Sequence, residues 1–183
     1  MDKLYELTER DGLPEALKVL LEAYPREVWQ AHPNFAGLVA FWLERHEMFR
    51  QLCEVMGTDA EGVVDGRMDP QQMKGRLSRY GSMLLQNLHG HHQIEDMHYF
   101  PMLRPKDTRL ERGFDILDRD HHAMDGLLNR FAEGANGVLQ GKVEAGRFRE
   151  ELAGFEGLLL RHLADEEDLI VPVILKHGPD GLA

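Results

Sequence analysis

Two widely separated segments of the chain carry the same pair of metal-ligating residue types at the same spacing. The first is His91-x-x-x-Glu95 and the second is His162-x-x-x-Glu166. An α-helix has 3.6 residues per turn, so a spacing of four places both side chains on one face, about 6 Å apart along the axis. Two such helices packed side by side would bring two imidazoles and two carboxylates together in a core. The spacing therefore predicts the ligands of a site for two metal ions.

The segments around these pairs are predicted to be entirely α-helical. Apolar residues recur at steps of three and four, and no pair of strands with a hairpin signal is present in the sequence. Long helices are predicted to begin after Pro33, at Asp69-Pro70, near Asp107 and near Val143. The stretch from Gly57 to Asp69 lacks this period and is predicted to be a loop. The simplest fold is an antiparallel up-down-up-down four-helix bundle with an additional short N-terminal helix.

Two further histidines, His46 and His121, lie in the apolar stripes of the other two long helices. Ligands at one height in antiparallel helices must be equally distant from the turn that joins them. His91 and His121 meet this condition, at roughly 18 to 20 Å from their shared turn at 1.5 Å per residue. The pair of His46 and His91 meets it less well, because 11 residues separate His46 from Gly57 and 21 separate Pro70 from His91.

Composition and charge exclude several classes of partner. The single cysteine, Cys53, cannot form an internal disulfide or a cysteine-based zinc site, so a metal must bind through nitrogen and oxygen. A net charge of −11 argues against nucleic acid and anionic lipid surfaces, which both reward clustered Lys and Arg. No apolar run approaches the ~18 residues that would be needed to cross a bilayer. We therefore expect neither a nucleic-acid partner nor a membrane partner.

The length of 183 residues and an apolar content of 43% suit one domain with its own core. We predict an N-terminal helical extension over residues 1–31, the bundle over residues 32–178 and a tail over residues 179–183. The first residues lack the basic and apolar stretches of a signal peptide, so a cytoplasmic location is expected.

Four sequence segments together resemble the hemerythrin-like proteins, also called the HHE cation-binding domain, in their bacterial form. They are RHEMF, HHQIEDMHYFP, DRDHHAMD and RHLADEEDLIVP, within a range of about Pro33 to His177. The resemblance implies a four-helix bundle around a non-haem centre of two iron ions, with carboxylate and oxo bridges. It implies terminal ligands at His46, His91, His121 and His162, and bridging ligands at Glu95 and Glu166.

Two positions depart from the oxygen-carrying members of this family. Asp125 stands where those members have a second histidine on the third long helix, and Glu167 stands where they have an aspartate on the last. Asp125 and Glu167 are therefore further candidate ligands, His122 is an alternative to its neighbour His121, and His98 is a candidate outer or fifth ligand. His92 is expected to lie on the flank of its helix.

The expected ligand set leaves several functions open. Mixed imidazole and carboxylate donors suit iron, with manganese or zinc also possible. The protein is expected to bind or sense O2, NO, peroxide or iron. Alternatives are a di-iron oxidoreductase that acts on peroxide or NO or repairs iron-sulfur centres, and a metal-storage or structural bundle. A protein partner or electron donor is not identifiable. A ferritin-like site needs two Glu-x-x-His pairs, and Glu95-x-x-His98 occurs once.

Overall fold

Helices form all the regular structure in residues 3–35 and 37–182, which are the residues that the computed structural model describes. The helices are α1 (Val19–Ala23), α2 (Arg26–Trp29), α3 (Leu38–Val64), α4 (Pro70–Ile94), α5 (Phe100–Leu103), α6 (Glu111–Leu139) and α7 (Ala145–His177). A π-helical turn, Glu95–Tyr99, joins α4 to α5, and short 3-10 turns occupy Lys3–Tyr5, Glu15–Leu17, Pro33–Phe35, Arg104–Lys106 and Thr108–Leu110. The all-helical prediction is confirmed.

Helices α3, α4, α6 and α7 form a bundle in which α3 and α6 each contact both α4 and α7. Two apolar clusters fill it. The turn cluster lies near the short α3–α4 and α6–α7 connections and includes Phe49, Leu84, Met124, Phe148 and Leu159. The cover cluster lies against the N-terminal segment and includes Trp42, Phe100, Phe114, Leu169 and Val173. The cover cluster comes first along α3 and α6. It comes second along α7 and along α4 with its continuation α5, so the four helices run up-down-up-down, as predicted.

The ends of the long helices carry the expected signals. The Asp69 carboxylate accepts a hydrogen bond from the backbone N–H of Gln71 at 2.8 Å, and Pro70 occupies the first helical position. The backbone of Gly178, just past α7, has a φ of +81°, a conformation that glycine adopts without a steric penalty. The predicted start of α4 is confirmed.

The predicted loop from Gly57 to Asp69 was wrong in its first half, because α3 continues to Val64. Glycine has a low helix propensity, but here tertiary packing outweighs that propensity and the chain stays helical through Gly57 and Gly62. A Cβ atom on Gly62 would lie 3.2 Å from the Cβ of Met68, so the chain passes close to the helix at this point. In the longer α3, 18 residues separate His46 from the end of the helix. This number is closer to the 21 residues that separate the start of α4 from His91. Both histidines consequently lie at similar heights.

The N-terminal segment, residues 3–35, packs along the bundle mainly through α1 and α7. Leu13, Leu17, Leu20 and Trp29 are buried in the cover cluster. None of the helices described by the structure combines the length and apolar character that a membrane span requires.

Candidate metal centre

A layer of buried polar side chains crosses the bundle between the two apolar clusters. It contains two groups of side chains, and within each group the potential ligand atoms lie within 4.8 Å of one another. The His/Glu group consists of His46, His91, Glu95 and Glu166. The triple-histidine group consists of His92, His121 and His162.

Each bundle helix except α6 contributes to the His/Glu group, either directly or through the π-helical turn. His91 Nε2 lies 2.8 Å from Glu95 Oε1, so the predicted spacing of four does place this pair on one face. His46 Nε2 lies 2.9 Å from His91 Nε2 and 3.3 Å from Glu166 Oε2. Residues from α3, α4 and α7 thus meet at one point.

The two glutamates also reach the triple-histidine group. Glu95 directs Oε2 to within 3.6 Å of His121 Nε2, while its Oε1 faces His91. Glu166 Oε1 lies 3.7 Å from His121 Nε2, and Glu166 Oε2 lies 3.8 Å from His162 Nε2. Each carboxylate is therefore shared between the groups, which is the arrangement that a carboxylate bridge between two cations requires.

The layer contains buried polar atoms that lack hydrogen-bond partners within the protein. These atoms are Nε2 of His92, His121 and His162, Oε2 of Glu95, and both carboxylate oxygens of Glu166. Buried polar groups are almost always satisfied, because leaving one unpaired costs on the order of 1–3 kcal/mol. Imidazole nitrogens and carboxylate oxygens that converge in this way are the donors of iron, manganese and zinc sites. The residues present fit a metal cation.

Three outer carboxylates face the other ring nitrogen of three of these histidines, each across a helix–helix interface. The pairs are His46 Nδ1 with Glu167 Oε1 at 2.9 Å, His121 Nδ1 with Asp96 Oδ1 at 2.6 Å, and His162 Nδ1 with Asp120 Oδ2 at 3.1 Å. An Nδ1–H that donates to a carboxylate fixes the orientation of the ring and leaves Nε2 to face the centre of its group. Each of these carboxylates directly precedes or follows a member of the groups in sequence.

The pKa of each buried histidine depends on its burial and on the charges of its neighbours in the layer. Burial alone would lower the pKa of His46, but the nearby carboxylates of Glu166 and Glu167 outweigh it and raise the pKa to about 9. Burial likewise opposes protonation of His121, whereas Asp96 and Glu166 raise its pKa to about 10. Burial and the neighbouring His121 and His162 lower the pKa of His92 well below its ordinary value. His92 is thus neutral, with a lone pair available for a cation.

We expect the metal-free protein to lose stability as the pH rises. The raised pKa values of His46 and His121 contribute stability that is fully present below about pH 6.5 and is lost as the pH passes about 9 to 10. Each kcal/mol lost lowers Tm by about 2 to 4 °C in a chain of this length. Thermal unfolding in the presence of a chelator, followed by circular dichroism from pH 6 to 10.5, measures the effect. A Tm that stays constant across this range would contradict it.

Other candidate ligands from the sequence lie outside the two groups. The side chains of His98, His122 and Asp125 are exposed, and His122 Nδ1 donates to the backbone carbonyl of Asp118 at 2.8 Å. Among the two adjacent histidines of α6, the structure therefore brings His121 into the layer. Glu167 is buried but contacts the outer nitrogen of His46 rather than joining either group.

The expectation that His92 lies on the flank of its helix was wrong, because it is 5% exposed and belongs to the triple-histidine group. Adjacent residues point about 100° apart around a helix axis, so one of two neighbours normally faces away from a single site. Here α4 directs His91 towards one group and His92 towards the other. The His-His doublet is the only local signal, and it is ambiguous, since the doublet on α6 places one histidine at the surface.

The π-helical turn after α4 helps to place Glu95 and Asp96. The backbone N–H of Phe100 donates to the carbonyl of Glu95, five residues earlier, which widens the helix locally. Pro101 follows, and its ring lacks an N–H and would clash with the carbonyl four residues earlier in a regular α-helix. Trp42 Nε1–H donates to Glu95 Oε1 at 2.6 Å and holds that carboxylate in position.

A four-helix bundle with buried His and Glu groups between two apolar clusters defines a class of helical cation-binding domains. The family profile described as "Hemerythrin HHE cation binding domain" matches residues 37–174. The chain belongs to this family, as the sequence motifs predicted. Comparisons with curated proteins and with solved structures gave no match.

Proposed function

We propose that the chain binds two non-haem iron ions and, through them, binds or senses a small molecule such as O2, NO or peroxide. The His/Glu group would hold one ion and the triple-histidine group the other, with Glu95 and Glu166 shared. The observation that carries this proposal is the convergence of unpartnered buried donor atoms from both groups. Family membership favours iron, although the same donors suit manganese or zinc.

When bound, iron would supply one-electron redox chemistry and a position for a small ligand. The protein's own contribution is a dry, fixed environment. The apolar clusters exclude water on both sides of the layer, and the outer carboxylates hold the Nδ1 protons of their histidines. Cys53, the single cysteine, is buried, and burial raises its thiol pKa to about 12. It is poorly suited to carry electrons, which favours binding or sensing over an enzyme that needs a thiol reductant.

Small molecules would reach the His/Glu group along the groove between α3 and α4. A cavity of about 320 Å³ opens there, and its walls include Phe41, Trp42, Gly90 and Tyr99 beside His91. A Cβ atom on Gly90 would meet no atom within 4 Å, so a larger side chain can occupy the cavity without strain.

Gly90→Leu is expected to slow the binding of NO or O2 to the reduced, iron-loaded protein several-fold, while iron content stays unchanged. The leucine side chain would narrow the cavity, and Gly90 itself belongs to neither group. Stopped-flow absorption measures the rate. Gly75→Leu is the matched control, because Gly75 lies on the exposed face of α4 and a Cβ atom there also meets nothing within 4 Å. Equal rates in the two variants would rule out this route.

The proposed function is tested by anaerobic loading with ferrous iron, followed by metal analysis and absorption spectroscopy. We expect about two irons per chain and a ferric absorption band that disappears on reduction and changes with O2, NO or peroxide. Reversible changes without net consumption indicate binding or sensing. Sustained consumption of peroxide or NO would instead indicate an oxidoreductase, and iron uptake without any response to these molecules would indicate storage. A chain that retains no metal would overturn the proposal.

A further inference from the structure

The N-terminal segment, which lies outside the family match over residues 37–174, reaches the metal centre through two arginines. Arg10 is 5% exposed, although arginine is rarely buried without partners. Its guanidinium donates through Nη1 to Asp120 Oδ1 at 2.9 Å and through Nε to Asp165 Oδ2 at 2.7 Å. A further ion pair joins Nη2 to Asp120 Oδ2. Arg10 is thus held between carboxylates of α6 and α7.

Arg10 acts on the triple-histidine group through one intermediate residue. Asp120 is 2% exposed and faces His162 Nδ1 at 3.1 Å with the same oxygen that pairs with Arg10. A buried carboxylate stays ionised only when positive charge and hydrogen bonds offset its desolvation. Arg10 supplies them, so Asp120 remains available to fix the imidazole of His162.

Arg26, on α2, makes the corresponding connection to the His/Glu group. Its Nη1 lies 3.0 Å from Glu167 Oε2, and the other oxygen of Glu167 lies 2.9 Å from His46 Nδ1. Arg26 also pairs with Asp168 at 2.7 Å. Its side chain is half exposed and Arg50 shares Glu167, so this connection is weaker than that of Arg10.

We propose that the N-terminal segment is a positioning element for both metal subsites and that its docking controls how fast the metals are released. Arg10 positions His162 through Asp120, and Arg26 positions His46 through Glu167. The inference rests on the proposed function, since it assumes that the two groups hold metals. Coupling of binding equilibria is reciprocal, so bound metal also strengthens docking of the segment. Each arginine therefore links the segment to one of the two subsites.

Arg10→Gln is expected to accelerate transfer of one of the two irons to an excess of chelator. Asp120 stays in place but is held less firmly, so the upper limit is about 10- to 100-fold, the effect on metal affinity of losing the outer partner of a metal-binding histidine altogether. The other iron should leave at the wild-type rate. Arg26→Gln should accelerate the release of the other iron by a smaller factor, because Arg50 still pairs with Glu167. Arg10→Lys keeps the charge and should restore part of the slow release.

The matched control is Arg112→Gln. Arg112 lies on α6 and its guanidinium stacks over the ring of Tyr5 at 4.1 Å, so it contacts the same segment without touching the outer carboxylates. Its substitution should leave both release rates unchanged. A general loss of structure in Arg10→Gln would accelerate the release of both irons alike and would reduce the helical circular dichroism signal. That result would overturn a specific role for Arg10.

Reciprocal coupling is tested on the same proteins by limited proteolysis. Iron loading should slow cleavage within residues 3–35 of the wild-type chain and should have little effect in the Arg10→Gln/Arg26→Gln double variant. Equal release rates and equal protection in metal-loaded wild type and variants would overturn this inference alone. Failure of the wild-type chain to retain metal would overturn the proposed function, and the inference with it.

Discussion

Glu166→Gln is expected to leave the bundle folded and to reduce bound iron from about two per chain to well below one, because a carboxylate bridge offsets the repulsion between two cations. The carboxylate of Glu166 lies within 3.3 Å of His46, 3.7 Å of His121 and 3.8 Å of His162, so it serves both groups. A glutamine has nearly the same shape but no negative charge. Metal analysis after iron loading measures the change directly.

The same substitution should remove most of the stabilisation that metal provides. A ligand at a thousand times its Kd stabilises the folded state by roughly 4 kcal/mol. In the metal-free protein, loss of Glu166 lets His46 and His121 release protons, since Glu166 helps to raise the pKa of both. We therefore expect a smaller change in Tm without metal than with it. Calorimetry of both proteins in chelator and in iron separates the two effects.

Glu150→Gln is the control for this experiment, because Glu150 lies on the same helix with an exposed side chain. It should retain wild-type iron content and the wild-type gain in Tm. If Glu166→Gln bound as much iron as the control, the two groups would not share this carboxylate and the proposed ligand set would fail.

His92→Phe is expected to remove one iron and to retain the other. Phenylalanine fills the space of the imidazole but offers no nitrogen, so the triple-histidine group would lose one of its three histidine donors. Apolar replacement should be tolerated in the metal-free protein, since His92 is buried and burial keeps its pKa low. The expected iron content is about one per chain, because the His/Glu group keeps all its members.

His89→Phe is the matched control, because His89 lies three residues earlier on α4 with an exposed side chain. It should retain both irons. Full iron content in His92→Phe would assign His92 to the apolar core rather than to the centre. Combining His92→Phe with His46→Phe should remove both ions if each group holds one.

Features that depend on one helix were predictable from the sequence. Apolar residues at steps of three and four predicted the four long helices, and Asp69 with Pro70 predicted where α4 begins. The spacing of four placed His91 beside Glu95 without any knowledge of neighbouring helices, because the geometry of a single turn fixes their distance. The fold class and the motifs of the family were therefore readable from local pattern alone.

Features that depend on how helices are rotated against one another were decided by the tertiary structure. Whether His92 or His122 faces the centre depends on the rotation of α4 and α6, and the packing of their apolar faces sets that rotation. The outer carboxylates pair across helix interfaces, as Asp120 does with His162. Arg10 lies 110 residues before Asp120 in sequence, and no local spacing relates the two. The sequence by itself thus determined the helices and the paired ligands within them. Packing between distant segments decided which histidines meet and which charges hold them, because those contacts exist only after the apolar faces have fixed each helix in place.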